Sequence, residues 1–353
     1  MDTKRVSLLL ERPGRKVLIY HTDLDGVCSA TLLLKFFSDF ELMPREGPIV
    51  DDKMVKSLVA RKPDLIVILD IPMDQEFAKI EKLQKKLPQT RMIEMDHHIP
   101  EKDMNSLSFI HINPRFEGDF YIPASCMVYR MLEKLGKKVR PLVWIAAIGV
   151  IGDYGIEDCR DLFDECRKAY PGSMGENPLR SKLSEAAEYI NSTFILHGVK
   201  GVEKTLGMML AIDGYKSVPQ NKYFASCREK VSREISRILR DFEKRKKEHH
   251  GLGLVTYRIV SRLNVTSTVS TMIAEKYPDR IIIMIKFSGQ HVKISARCQA
   301  GDINLNSLMK DAVAGIGSGG GHVKAAGAVV GKKDFPEFER RLLERVAELR
   351  KTR

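Results

Sequence analysis

Residues 16 to 37 read KVLIYHTDLDGVCSATLLLKFF and place a short apolar strand, a polar turn and a helix-like segment in immediate succession. The first six residues are mostly aliphatic or aromatic, as in a strand buried on both faces. Similar runs follow at DLIVILD (64–70), RMIEMD (91–96) and SFIHI (108–112), with another helix-like stretch around QEFAKIEKLQKKL. Strands that alternate with helices predict a doubly wound, mainly parallel α/β domain.

A second and smaller set of strand-like runs lies beyond residue 250. These runs are GLVTYRIV, RIIIMIKF and HVKISAR, and TVSTMIAEKY predicts a helix packed between them. An amphipathic helix from about 227 to 248 precedes them, and the glycines of HHGLG are expected to close it. We therefore predict a catalytic domain at 1–215, a helical linker at 216–250 and a smaller α/β domain at 251–353.

Length and composition agree with two packed domains. The 353 residues exceed what one hydrophobic core usually serves, and 43% of them are hydrophobic. The longest apolar run, PLVWIAAIGVIG, is far short of the roughly 20 residues that a membrane span needs, so we expect a buried helix and no membrane association. The first residues lack the apolar core of a secretory signal, and the six cysteines form no CxxC pair, which predicts a cytoplasmic protein with reduced cysteines.

The charge balance is basic, with 58 lysines and arginines against 46 acids and a formal charge of +12. Such an excess favours polyanionic partners, because neutralised phosphates release counterions. Part of the excess lies in the amphipathic helix, where a solvated face explains it equally well. Charge alone therefore favours nucleic acid without requiring it.

Acidic and imidazole side chains cluster at the ends of three predicted strands. Open α/β sheets bind their ligands beyond the carboxyl ends of the strands, at the topological switch point. We therefore expect these side chains to converge on one edge of the sheet. They are His21, Asp23 and Asp25 after the first strand, Asp70 after the second, and Asp96, His97 and His98 after the third.

A further acid, Asp153, follows the apolar run PLVWIAAIGVIG on the glycine-flanked turn GDYG. Burying a carboxylate beside a core is costly unless a cation or strong donors compensate it, so a metal is expected. Carboxylates completed by imidazole suit Mn²⁺ or Mg²⁺ better than a thiolate-seeking Zn²⁺. The acids exceed the needs of one ion, and two ions about 3.5 to 4 Å apart would clamp a phosphoryl oxygen and generate hydroxide. The pattern predicts phosphoester hydrolysis.

These residues resemble the DHH phosphoesterases, a family named for the triplet that stands here at residues 96–98. HTDLDG, ILD, MDHH and GVIGDYG occur in the family's order. A second block comprises KISARCQ, INLNSLM and GIGSGGGHVKAAGAVV. It is similar to the DHH-associated C-terminal domain of RecJ-type exonucleases and nano-RNases.

The resemblance implies roles for the residues of the first domain. The metal ligands would be His21, Asp23, Asp25, Asp70, His97 and Asp153. Among them, Asp70 would bridge two divalent ions. His98 would be catalytic, donating to the charge that develops on the scissile phosphate, and Asp96 would orient its neighbours by hydrogen bonding. Many relatives have the pattern HxxxDxD where this chain has HxDxD, which leaves open whether His21 is a direct ligand.

The second block offers a binding site for phosphate or sugar. The backbone N–H groups of Gly319, Gly320 and Gly321 can approach an anion without side-chain hindrance, and His322 follows them. We expect HVKAAG to begin a helix behind this loop, which would strengthen anion binding. Arg297 resembles the family's substrate-gripping arginine and can contact phosphate with two N–H groups. Substrate is expected between the two domains, with His322 also in a catalytic role.

Three functions are consistent with these features. The first is a RecJ-like phosphodiesterase, dependent on Mn²⁺ or else Mg²⁺, that removes nucleoside monophosphates from single-stranded DNA or RNA or from short oligonucleotides. The alternative is a small-molecule phosphohydrolase that acts on dinucleotides, pAp or pyrophosphate. The second alternative is a non-hydrolysing replisome component, since the superfamily includes members that have lost the metals. A replication or repair protein stays open as a partner.

Overall fold

The computed structural model describes residues 3–351. Within that range the chain forms two compact units, which divide between Arg228 and Glu229. The division falls inside one long helix, Lys222–Arg245, here named α10. The assignment of 216–250 as a linker stays a prediction.

The first unit contains nine helices and five strands before α10, among the residues described. The helices are α1 Thr3–Glu11, α2 Leu24–Leu34, α3 Asp52–Arg61, α4 Phe77–Lys86, α5 Ala124–Lys134, α6 Val143–Gly152, α7 Arg160–Ala169, α8 Lys182–His197 and α9 Val199–Ala211. The strands are β1 Lys16–His21, β2 Phe40–Arg45, β3 Leu65–Leu69, β4 Arg91–Met95 and β5 Phe109–Ile112. All four strand runs predicted from the sequence are present.

The five strands form one parallel sheet in the order β2-β1-β3-β4-β5. Strand β2 lies on one side of β1 and β3 lies on the other, so the direction of strand order reverses at β1. The topological switch point is therefore beside β1. Alternate residues of the strands enter different cores: Val17 and Ile19 pack with α3 and α4, whereas Leu18 and Tyr20 pack with α2, α5 and α6. The predicted doubly wound parallel domain is confirmed.

Strand β2 was not predicted. Its sequence, FELMPR, has no continuous apolar run and contains Pro44, and every residue in it is at least partly exposed. Proline is tolerated in edge strands, where the missing N–H costs no ladder hydrogen bond. This segment is a strand because it pairs with β1, and its own sequence lacks the apolar pattern that would predict a strand.

The apolar run before Asp153 forms α6, whose residues from Val143 to Ile151 are all buried. This helix packs against α2, α5 and α8, which confirms a buried helix rather than a membrane segment. Across residues 3–351, no helix has both the length and the apolarity to cross a membrane. All six cysteines are buried.

The second unit is a smaller α/β body. Its strands are β6 Lys247–His249, β7 Leu254–Arg258, β8 Ile281–Ser288, β9 His291–Cys298, β10 Gly317–Gly321 and β11 Ala325–Gly331, and its further helices are α11 Thr266–Lys276, α12 Leu305–Val313 and α13 Phe335–Lys351. The sheet order is β10-β11-β9-β8-β7-β6, and only the β7–β8 pair is parallel among these strands. A separate apolar core lies under this sheet. The smaller α/β domain is confirmed.

Two predictions in this unit are wrong. The glycines of HHGLG do not close α10, because that helix already ends at Arg245. The residues before HHGLG begin β6, which pairs with β7. Gly251 and Gly253, with φ of 80° and 61°, lie in the turn that connects these two strands. The stretch HVKAAG begins no helix, because its last residues belong to β11, and the glycine loop is strand β10. A Cβ on Gly319 would lie 3.2 Å from both Met309 O and Gly327 O, so glycine allows these two backbone segments to approach β10 closely. The low strand propensity of glycine gives no sign of this packing in the sequence.

We predict opposite effects for two glycine-to-alanine changes in helices of the first unit. A Cβ on Gly149, in α6, would overlap Ser125 Oγ and lie 2.8 Å from Asp25 Oδ1, whereas a Cβ on Gly207, in α9, meets nothing within 4 Å. Gly149→Ala should lower the free energy of unfolding by about 1 to 3 kcal/mol through overpacking. Gly207→Ala should raise it by up to about 1 kcal/mol through helix propensity.

Urea denaturation of the two variants and the wild type measures both effects. Equal stabilisation by the two substitutions would show that α6 does not pack as closely on Ser125 as described.

Candidate metal centre

Side chains from four separate stretches meet at the carboxyl edge of the parallel sheet. They form three overlapping groups, and within each group one ligand atom per residue lies within 4.8 Å of all the others. The groups are Asp25, Asp70, His97 and Asp153; His21, Asp23 and Asp70; and Asp70, His97 and His98. Asp70 belongs to all three groups, so its carboxylate stands at their centre.

Asp70 is held at this centre by the sheet. It follows β3, its backbone N–H donates to Met95 O at 2.9 Å, and only 1% of its surface is exposed. Its φ of 61° is in the left-handed region, which costs a residue other than glycine roughly 1 to 3 kcal/mol. Within residues 3–351 its Oδ2 accepts no hydrogen bond, and His21 Nδ1 is 3.4 Å away. A buried carboxylate oxygen without a donor is suited to a cation.

The turn from β1 to α2 supplies the next ligands. Asp23 caps α2 by accepting from the Gly26 N–H at 3.0 Å, and His21 Nδ1 lies 2.8 Å from the other Asp23 oxygen. Gly26 is required here, because a Cβ would overlap His21 O. One turn therefore fixes His21 and Asp23 on the same side of Asp70.

Asp25 reaches the centre from the buried first turn of α2. Its carboxylate accepts from the N–H groups of Ala124 at 2.7 Å and Ser125 at 3.1 Å, and from the Ser125 hydroxyl. These donors form the N-terminus of α5, where the helix dipole favours negative charge. Asp25 thus links the centre to the packing of α5.

His97 connects Asp70 with Asp153. Its Nε2 lies 3.2 Å from Asp70 Oδ1 and 3.0 Å from Asp153 Oδ2, and the ring is buried. Asp153 is the residue that directly follows α6. A single imidazole nitrogen thus brings the carboxylates of Asp70 and Asp153 to one place in the centre.

The electrostatics show that the acids are crowded. Burial, then the charges of Asp23 and Asp25, raise the pKa of Asp70 well above its usual range. Burial, then the charge of Asp153, raise the pKa of Asp25 to about 7. Burial alone would lower the pKa of His97, but the carboxylates of Asp153 and Asp70 outweigh it and raise the pKa to about 11. The crowding of these acids therefore favours a compensating cation at the centre.

Asp96 and His98 form a pair beside the centre. The buried Asp96 carboxylate accepts from the His98 N–H at 2.9 Å and lies 2.8 Å from His98 Nδ1. This pairing engages Nδ1 and orients the ring, of which 45% is exposed. Nε2 is the ring nitrogen left to meet another partner.

Two residues at the centre were not predicted from the sequence. The Tyr121 ring meets the His97 ring edge-on at 4.8 Å, and its hydroxyl lies 3.5 Å from Asp153 Oδ2. Arg115 Nε donates to His97 O at 2.9 Å. Both belong to the segment after β5, and their position beyond a strand end is the signal that could have identified them.

The predicted binding residues of the second unit lie at one end of its sheet. Arg297, in β9, pairs with Ala325 of β11, and the His322 N–H donates to Ala325 O at 2.7 Å. The guanidinium donates to Ser267 Oγ at 2.8 Å and to Ala296 O at 2.8 Å. The end of β10, residues 319–321, lies beside the same stretch of β11. The structure therefore groups all five predicted residues.

Solved structures share this fold. RecJ from Thermus thermophilus in complex with Mn²⁺ has a TM-score of 0.75 and 16% identity over 98% of this chain, which spans 54% of that RecJ. An exonuclease RecJ bound to manganese has a TM-score of 0.70 and 18% identity, with 98% of this chain and 93% of that chain covered. A pGpG-specific phosphodiesterase, PggH from Vibrio cholerae, has a TM-score of 0.53 and 14% identity, with 94% and 98% covered.

Among curated proteins, no sequence matches this chain. Two family descriptions do match it. Residues 16–166 match the DHH family, N-terminal domain, and residues 254–349 match the DHHA1 domain. The first range contains the whole candidate metal centre, and the second contains Arg297 and the glycine strand β10. The chain therefore belongs to the DHH phosphoesterase family and carries a DHHA1 domain in its C-terminal part.

Proposed function

We propose that this protein is a two-metal phosphodiesterase that hydrolyses terminal phosphodiester bonds of single-stranded DNA or RNA or of short oligonucleotides and releases nucleoside monophosphates. The observation that carries the proposal is the shared position of Asp70. Its carboxylate belongs to every group of ligand atoms at the centre. A carboxylate common to two ligand sets is the arrangement expected of a bridge between two ions about 3.5 to 4 Å apart.

The ligand sets follow from the groups. We assign one ion to His21, Asp23 and Asp70, and the other to Asp25, Asp70, His97 and Asp153. Oxygen and imidazole donors without thiolate suit Mn²⁺ first and Mg²⁺ second. When bound, such ions activate water at neutral pH and stabilise charge on the phosphoryl oxygens.

The protein's own side chains would place and hold the substrate. His98, oriented by Asp96, is proposed to donate from Nε2 to the scissile phosphate as negative charge develops there. In the second unit, we propose that Arg297, residues 319–321 and His322 bind phosphate or sugar. The Arg297 guanidinium is already oriented by Ser267 and Ala296 O, which reduces the entropy lost on binding.

Two other functions compete with this proposal. A small-molecule phosphohydrolase acting on dinucleotides, pAp or pyrophosphate is supported by the likeness to PggH, a protein of nearly the same extent as this chain. A non-hydrolysing replisome component, with a replication or repair protein as partner, is disfavoured by the full set of acids at the centre. The net charge of +12 favours a polyanionic substrate in either enzymatic case.

We expect a long, end-labelled single-stranded oligonucleotide incubated with Mn²⁺ to yield a ladder of shortened products, because each turnover would remove one terminal nucleotide. EDTA should abolish the ladder, and added Mn²⁺ should restore it. Denaturing gel electrophoresis reads both the products and their polarity. Cleavage of dinucleotides alone would support the small-molecule rival, and activity that survives exhaustive chelation would exclude both two-metal enzymes.

Asp70→Asn should remove both ions together, because the amide loses the charge that the two ligand sets share. Calorimetric titration with Mn²⁺ should find two sites in the wild type and no tight site in the variant, and activity should fall at least about a thousandfold. Asp64→Asn is the matched control, since Asp64 directly precedes β3 at the opposite end and accepts from the Arg15 N–H. Loss of one site only would show that Asp70 is not the bridge.

Arg297→Ala should raise KM roughly 10- to 100-fold with a smaller effect on kcat, because a charged hydrogen bond to substrate is lost. Arg280→Ala changes the charge equally at an exposed position before β8 and serves as the control. Steady-state kinetics on an oligonucleotide separate the two parameters. An unchanged KM in Arg297→Ala would remove this residue from the binding site.

A further inference from the structure

Three exposed side chains, two aromatic and one aliphatic, stand next in sequence to residues of the metal centre or to Tyr121. Ile99 follows His98, Phe120 precedes Tyr121, and Tyr154 follows Asp153. Their exposed fractions are 72%, 46% and 73%. Each is therefore one residue away from a side chain of the centre or from Tyr121, which contacts the centre. Single exposed apolar residues are ordinary on protein surfaces, so exposure alone does not identify a binding site.

Tyr154 occupies a position that normally requires glycine. It follows the C-cap of α6, its N–H donates to Ile151 O at 3.3 Å, and the Gly155 N–H donates to Val150 O at 3.1 Å. This pair of hydrogen bonds is the Schellman motif, whose left-handed residue is usually glycine. Tyr154 has a φ of 58°, a conformation that crowds the Cβ of an L-residue.

Packing does not offset this strain, because most of the Tyr154 side chain is in solvent. The other left-handed residues besides glycine, within residues 3–351, are Lys62 and Asp70. Lys62 is a hydrophilic residue at the end of α3, and Asp70 is the central carboxylate. A bulky aromatic ring held in a strained conformation next to Asp153 therefore calls for a functional reason.

The segment before α5 presents a second ring. Tyr121 is anchored by its N–H, which donates to Asp158 Oδ2 at 2.8 Å, and by the Arg115 guanidinium 5.7 Å from its ring centre. The neighbouring Phe120 is exposed. A Cβ on Gly118 would lie 2.8 Å from the Phe120 ring, so glycine makes room for that ring over its own loop.

We propose that Tyr154 and Phe120 form a nucleobase-binding subsite beside the metal centre. The inference rests on the proposed function and narrows its substrate class to nucleotides. A nucleobase offers a π face on which aromatic rings stack, whereas pyrophosphate and other inorganic phosphates offer none. Stacking accepts every base, as an enzyme that shortens strands of mixed sequence requires.

The test compares two oligonucleotides of equal length with Mn²⁺, one intact and one abasic at both terminal nucleotides. Wild type should have the higher kcat/KM on the intact strand. Tyr154→Gly should reduce the ratio of the two kcat/KM values about tenfold, the effect of losing one stacked base. Tyr154→Phe should keep the ratio, since the ring remains. Phe120→Ala should reduce it as well.

Lys62→Gly is the matched control, because it places glycine at a left-handed helix end without removing a ring. Its ratio should equal that of the wild type. Thermal unfolding of both glycine variants should show no loss of Tm, because glycine adopts positive φ without strain. An unchanged ratio in Tyr154→Gly, or an equal loss in Tyr154→Phe, would overturn the subsite.

Calorimetric binding of AMP and of ribose 5-phosphate separates this inference from the proposed function. The wild type should bind AMP more tightly, and Tyr154→Gly should lose that preference. If the wild type hydrolyses neither oligonucleotide, the proposed function fails, and the subsite is then judged by this binding alone. If it hydrolyses them but binds both ligands equally, the subsite is wrong and the function stands.

Discussion

A buried carboxylate at the switch point of the parallel sheet is the constraint around which the first unit is organised. Asp70 is fixed by its backbone bond to Met95 and by a strained φ, and its second oxygen has no hydrogen-bond donor in the described part of the chain. Such a group is unfavourable in a protein core unless positive charge meets it. His21 and His97 lie against it, and although burial alone would lower their pKa values, the neighbouring carboxylates outweigh it and raise both. The same positions serve divalent ions in our proposal.

The second unit is built for a different task. Its mixed sheet places a glycine strand, an oriented arginine and a histidine at one end; the Arg297 guanidinium provides one fixed positive charge there, while the Gly321 N–H already donates to Asn306 Oδ1 at 3.2 Å. Neither feature requires a metal. In our proposal, phosphate binding by the second unit is thus separate from the acids of the first unit, whose crowding would repel a phosphate in the absence of cations.

The pattern of apolar residues along the sequence predicted the strands and the helix that are buried on both sides. It did not predict the strands whose formation depends on pairing or on close packing with other elements. Strands β1, β3, β4 and β5 and helix α6 are apolar enough to be recognised from sequence, and polar residues after strand ends identified the centre because sheet topology brings those ends together. Strand β2 is recognisable only through β1, and β10 only through β11 and the close approach of α12. Tyr121 was not recognised because its role depends on a ring contact with His97, which spacing along the chain does not encode.

Helix α6 is the most apolar of the helices described in the first unit, and Asp153 follows it directly. A change in the volume of its side chains would shift Asp153, a carboxylate of the centre, because close-packed interiors transmit small displacements. Selection for stability and selection for chemistry therefore act on the same stretch of chain. We expect diversity among related proteins to accumulate instead in elements that contribute no ligand atom to the centre, such as β2, α3 and α4.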